Sequence, residues 1–257
     1  MKSNKFAGIK FHYILYFICT VAAIISVVMI FKNINDYNIG KKSYNNISEN
    51  AVTVISQEDN DDGEQITVPQ VNFDWLKSQN PDIAAWIYGE GTVINYPVMV
   101  CPNNSYYLTH LFDKTENKNG SIFIENRNKP DFSDRLTRIY GHNMKNGTMF
   151  GSLLNYKNQE YFQAHRQLII VNEDKNYKLE IFGAYAANVN DFVFTDDFNN
   201  YSADQMQNAI NTIKSKSGIN TSTQVAPTDN IVMLVTCVDA GESDYRFVVF
   251  CKLSIID

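Results

Sequence analysis

The sequence predicts a mostly β domain with added helices, preceded by one membrane-spanning helix. Three observations predict it. Short β-branched and aromatic runs recur between turn-forming residues, and the last two, 231–235 and 245–253, read as a hairpin closing the chain. Phe and Tyr are abundant, 16 and 15 of 257 residues, as suits pleated, half-buried surfaces. Residues 14–31 run eighteen positions without a charge, about 27 Å as a helix against a hydrocarbon core of roughly 30 Å.

The segment 1–31 is read as a cytoplasmic tip and anchor. Lys2, Lys5 and Lys10 precede the span, and a basic flank sets that side in the cytoplasm. The run exceeds the roughly 7–15 apolar residues of a signal peptide and ends in Val-Val-Met-Ile-Phe-Lys, with no small-residue cleavage site. Everything after Lys32 is therefore expected outside the membrane. Residues 32–70 are polar, Asn-rich and, in EDNDDGE at 58–64, acidic. They read as a solvated spacer, with the helix able to continue a little way over 36–46. The folded domain is expected over 71–257, and a chain starting near Val71 is expected to fold by itself.

Within that domain, Asn72 opens a short helix with Phe73, Trp75 and Leu76. Asn80-Pro81-Asp82 interrupts it, and 83–88 is expected to resume it. The run 92–100 alternates as a strand, with Pro97 marking an edge or a kink. Further strands are expected at 121–125, 136–140, 167–172 and 177–187. Helices are expected at 104–111, 149–156 and 159–165, and most firmly at 202–215, where Met206, Ala209, Ile210 and Ile213 share a face.

A net charge of −6 offers no basic footprint for nucleic acid. CxxC, HxxH and HExxH spacings are absent, so no metal site is expected, and neither a phosphate loop nor a G-x-S-x-G elbow occurs. Four cysteines remain to be placed. Cys19 lies in the apolar span. Cys101 precedes Pro102 in a loop with no basic neighbour. Cys251 alternates with Phe247, Val249 and Leu253 and reads as core. Cys237 ends the first hairpin strand as Arg246 begins the second, which brings a thiol and a guanidinium to one end of the sheet. A permanent positive charge favours the thiolate, the nucleophilic form, while a buried strand-end Cys is the competing reading. Among four histidines, His142 follows a strand and Gly141 at the head of a loop, a setting that exposes a side chain on a rigid sheet.

RIYGHNMKNGTMF at 138–150 and TCVDAGESDYRF at 236–247 together resemble the sortases, membrane-anchored cysteine transpeptidases of Gram-positive bacteria. Tyr-Gly-His-Asn-Met is close to class B, and the resemblance runs from about Val71 to the C-terminus. It implies a closed β-barrel of about eight strands, an N-terminal helical segment and a helix before the Cys strand. It also implies Cys237 as nucleophile forming a thioester, His142 as general acid and base, and Arg246 as oxyanion or backbone donor. It further implies Asn104 and Leu108, in NSYYL, and Thr236, beside the nucleophile, as substrate contacts. Val235 departs from the Ser common in class B. The implied partners are surface proteins bearing sorting signals and a peptidoglycan amine or its lipid-linked precursor; no cofactor is implied. Two other readings use the same residues: an endopeptidase with water as acceptor, and an anchored binding module with Cys237 merely buried.

Overall fold

A computed structural model describes residues 5–59, 65–238 and 244–256. The expected turn at 239–244 lies outside them except for Asp244. The chain divides into two units, Met1–Lys42 and Ser43–Asp257.

Helix α1, Lys5–Ala51, carries the uncharged run, whose large side chains from Phe11 to Phe31 are exposed. It is one helix long and apolar enough to cross a membrane, and it fits a membrane anchor. The polar stretch expected as a spacer is ordered differently. The helix continues to Ala51, and strands β1, Val52–Asp59, and β2, Gln65–Val71, pair antiparallel after it. Burial explains the departure: Tyr44, Ile47, Ala51, Ile66 and Val68 are all buried, five apolar anchors spread through a polar composition.

Helix α2, Phe73–Gln79, is capped by Asn72, whose side chain accepts from the Trp75 amide. Eight strands follow: β3 Ile83–Tyr88, β4 Asn95–Val100, β5 Ile122–Ile124, β6 Leu136–Tyr140, β7 Gln167–Val171, β8 Asn176–Asn188, β9 Asn230–Cys237 and β10 Tyr245–Ile256. They close into a barrel of order β10-β8-β7-β3-β4-β5-β6-β9. Two neighbour pairs, β4 with β5 and β6 with β9, are parallel, and the rest are antiparallel. Strand β3 corrects the expected continuation of α2. Its Ile-Ala-Ala-Trp-Ile-Tyr is apolar on both faces, so it shows no period to separate strand from helix. Pro97 is tolerated in β4 because β5 pairs only from Val98 onward.

Short helices α3, Gln159–Ala164, and α4, Phe192–Thr195, lie in the connections. Helix α5, Ala203–Lys216, precedes β9 and starts with a Ser202–Gln205 capping box. Its Met206, Ala209, Ile210 and Ile213 pack with Met233, Val235, Val248 and Phe250. The odd positions of β9 and the even positions of β10 up to Phe250 therefore form the outer face of the sheet. Leu234, Thr236, Phe247 and Val249 turn the other way, into the barrel.

Candidate active site

Three adjacent strands bring the site together. Cys237, the last residue of β9, stands directly opposite Arg246 in the antiparallel register of β10. Opposed residues project to the same face with Cβ atoms about 5 Å apart. On the other side of β9, parallel strand β6 pairs Tyr140 with Val235, and Gly141 N donates to the Val235 carbonyl at 3.0 Å. His142 thus lies two residues past Tyr140, just as Cys237 lies two past Val235. A thiol, an imidazole and a guanidinium stand level at one end of the barrel, each half-buried.

Backbone and loop contacts fix the histidine. A Cβ on Gly141 would meet the Phe150 ring at 2.7 Å, so glycine lets the chain pass there. The His142 carbonyl accepts from Phe150 N at 3.1 Å, which folds the 142–150 loop back on itself. The His142 Nε2 lies 2.6 Å from the Leu108 carbonyl. A carbonyl only accepts, so Nε2 carries the proton and Nδ1 is left to exchange one. Leu108 itself closes a 3-10 turn, Tyr106–Leu108. That turn is held by buried Tyr107, whose hydroxyl accepts from Asn80 Nδ2 at 2.9 Å and donates to Asp82 at 2.7 Å. Asn143 Nδ2 donates to the Cys237 carbonyl at 2.9 Å and ties the histidine loop to the cysteine strand.

Arg246 donates from its guanidinium to the Tyr245 carbonyl at 3.0 Å. Its charge also reaches Tyr140: burial first, then Glu125, push the Tyr140 hydroxyl up to about 12, and Arg138, Arg127 and Arg246 oppose the rise. The remaining thiols are placed elsewhere. Cys101 and Cys251 are buried, and burial pushes the Cys251 thiol well up, so it is held neutral. His110 stacks on Tyr106 and bonds its carbonyl, and His165 likewise bonds the Tyr161 carbonyl.

The three outer residues expected around the site have different fates. Leu108 reaches it through its backbone, at His142. Asn104 accepts from Asn126 N at 2.9 Å and braces the turn after β5. Thr236 is buried and, by strand alternation, projects to the face opposite that of Cys237. The Leu108 carbonyl and Asn143 were not singled out in the sequence. Only Asn143 carried a signal, its place directly after His142. A large cavity of about 840 Å³, lined in part by Glu90, His165, Lys178 and Lys252, is separate. Lys252 pairs with Ile231, at the opposite end of β9 from Cys237.

The closed eight-stranded barrel is that of the sortase B structures. The family model described as Sortase domain matches residues 91–254, and the chain belongs to the sortase family. Its relatives are class B members. It is 36% identical over 183 residues to sortase B of Staphylococcus aureus, covering 70% of this chain and 74% of that protein. A crystal structure of sortase B from Bacillus anthracis superposes with a TM-score of 0.72 at 31% identity, covering 87% of this chain and all of that one. That coverage exceeds what 71–257 alone could supply. A Staphylococcus aureus sortase B–substrate complex gives 0.68 at 32% identity, covering 72% and 85% of the two chains.

Proposed function

We propose that this protein is a cysteine transpeptidase that cleaves the sorting signal of surface proteins and joins them to a peptidoglycan amine. The register that sets Arg246 opposite Cys237, with His142 at the adjoining strand end, carries the reading. Cys237 gives its thiol proton to His142 Nδ1 and Sγ attacks the scissile carbonyl carbon, and the tetrahedral intermediate collapses to a thioester as the C–N bond breaks. His142, held by its Nε2–H on the Leu108 carbonyl, gives the Nδ1 proton to the leaving amine. The acceptor amine then attacks the thioester carbonyl, Nδ1 takes the proton it loses, and the C–S bond breaks to release Cys237, which regains its proton from Nδ1. Arg246 donates to the developing oxyanion or to the substrate backbone. The thioester divides one difficult amide exchange into two easier steps. The uncharged helix with its basic flank would keep this barrel outside the membrane, N-terminus in the cytoplasm.

The test is a panel of pentapeptides beginning Asn-Pro or Ser-Pro, assayed with and without a glycyl or diamino acid acceptor. The expected result is cleavage with amine transfer, abolished by Cys237→Ala and retained by Cys101→Ala. Release of free carboxylate alone, at the same rate with or without amine, would make the protein a hydrolase. Near-normal cleavage by Cys237→Ala would reject the mechanism.

A further inference from the structure

The last turns of α1 are built into the support of His142. Tyr44 is buried, and its hydroxyl donates to the Gly120 carbonyl at 2.6 Å and lies 2.9 Å from Ser121 Oγ. Gly120 has φ +56, and a Cβ there would stand 2.7 Å from the Leu108 carbonyl oxygen and 3.0 Å from His142 Cδ2. One peptide thus touches Tyr44 on one side, and the imidazole with its hydrogen-bond acceptor on the other. The space between that peptide and the imidazole is too small to admit even a methyl group.

A second path leaves the same tyrosine. The Tyr44 ring meets Tyr96 edge-on at 5.4 Å, and the Tyr96 hydroxyl accepts from Met149 N at 3.1 Å. Met149, at φ +53, bridges to Asn143 and closes the loop that begins at His142. One turn further on, Ser48 Oγ accepts from Asn95 Nδ2 at 2.8 Å and fixes the helix on the start of β4. Both supports of the histidine, its acceptor and its loop, therefore meet at one hydroxylated ring.

We infer that Tyr44 is a positioning residue for His142, setting the imidazole against the Leu108 carbonyl through Gly120 and steadying its loop through Tyr96. Its consequence for turnover rests on the function proposed above; its consequence for the imidazole does not. A displacement near 1 Å at a catalytic group is enough to cost up to about 10²-fold in rate.

The experiment uses the full chain in detergent micelles with ¹⁵N-labelled histidine and compares wild type, Tyr44→Phe and Gly120→Ala. Tyr156→Phe, which removes a buried hydroxyl bonded to the His165 carbonyl, is the control. Phenylalanine keeps the ring against Tyr96 and removes only the hydroxyl. The His142 resonance is assigned with His142→Gln. Tyr44→Phe is expected to speed exchange of the His142 Nε2–H about tenfold. It is also expected to lower kcat about tenfold, with KM within twofold, and to move the pH–rate limb that belongs to the histidine. Gly120→Ala is expected to move the same signals in the same direction, and Tyr156→Phe to leave them alone. His142 exchange within twofold of wild type in Tyr44→Phe overturns the inference. So does a fall in kcat without any change at the imidazole, which would assign Tyr44 to fold stability. If wild type cleaves no peptide, the proposed function fails, and the exchange measurement alone decides the role of Tyr44.

Discussion

Arg246 sits at a distance from Cys237 where two roles compete, and they differ in what lysine can do. If the residue acts only through positive charge, lysine replaces it. If it gives directed hydrogen bonds to an oxyanion or peptide, an ammonium cannot reproduce the planar fork. The guanidinium bonds the Tyr245 carbonyl through one of its five N–H donors, and a fork of that kind can serve a second acceptor at the same time, which favours the second role. Arg246→Lys is therefore expected to behave almost like Arg246→Ala in single-turnover acylation. The loss should be 10²–10³-fold, roughly 3–4 kcal/mol, with folding intact. Alkylation of Cys237 by a small neutral reagent needs no oxyanion donor and should change much less. Near-normal acylation by the lysine variant would leave charge as the whole role. The side chains of the candidate site were legible in the sequence through the hairpin that opposes a Cys and an Arg and, for His142, through the resemblance of its loop motif to the family. The Leu108 carbonyl was not, because every residue has one and only the fold says which is aimed. Thr236 adjoins Cys237 in sequence, and strand alternation sends it to the opposite face.

Among the elements, most strands were readable as short β-branched and aromatic runs between turn residues, even where, as in the middles of β9 and β10, both faces are buried. Helix α5 was readable by its four buried positions at helical spacing. Strand β3 was not, because it lacks alternation like its neighbours and also carries two alanines directly after a helix, a composition that reads as helix. Strand β10 gives the prediction at this scale. Cys251 is fully buried, and burial holds its thiol neutral, so it contributes as a small apolar group. Cys251→Ser places a hydroxyl there, at a cost of about 1–3 kcal/mol on mutational scales. The expected result is a lower denaturant midpoint with turnover per folded molecule unchanged. A loss of turnover with undiminished stability would mean that Cys251 takes part in the chemistry.

At the scale of the molecule, the sequence and the structure part company before Val71. Composition there is polar and Asn-rich, which is why the stretch reads as a spacer. What composition averages away is the placement of a few apolar residues. Tyr44, Ile47, Ala51, Ile66 and Val68 are buried, and the Asn72 amide donates to the Ala51 carbonyl at 2.8 Å, joining the segment to α2. A chain starting at Val71 would lose all five side chains and uncover their partners around Gly120, Tyr96 and Asn95. Four of the five are large, and burying a large apolar side chain contributes about 1.5–3 kcal/mol, so the loss amounts to several kcal/mol. Domains of this kind hold only about 5–15 kcal/mol in total. At roughly 2–4 °C per kcal/mol for a domain of this size, a chain starting at Val71 should melt at least ~10 °C below one starting at Ser43. The Ser43 chain should melt in a single cooperative step. Calorimetry on the two truncations decides it, and equal melting temperatures would return residues 43–70 to the role of a spacer.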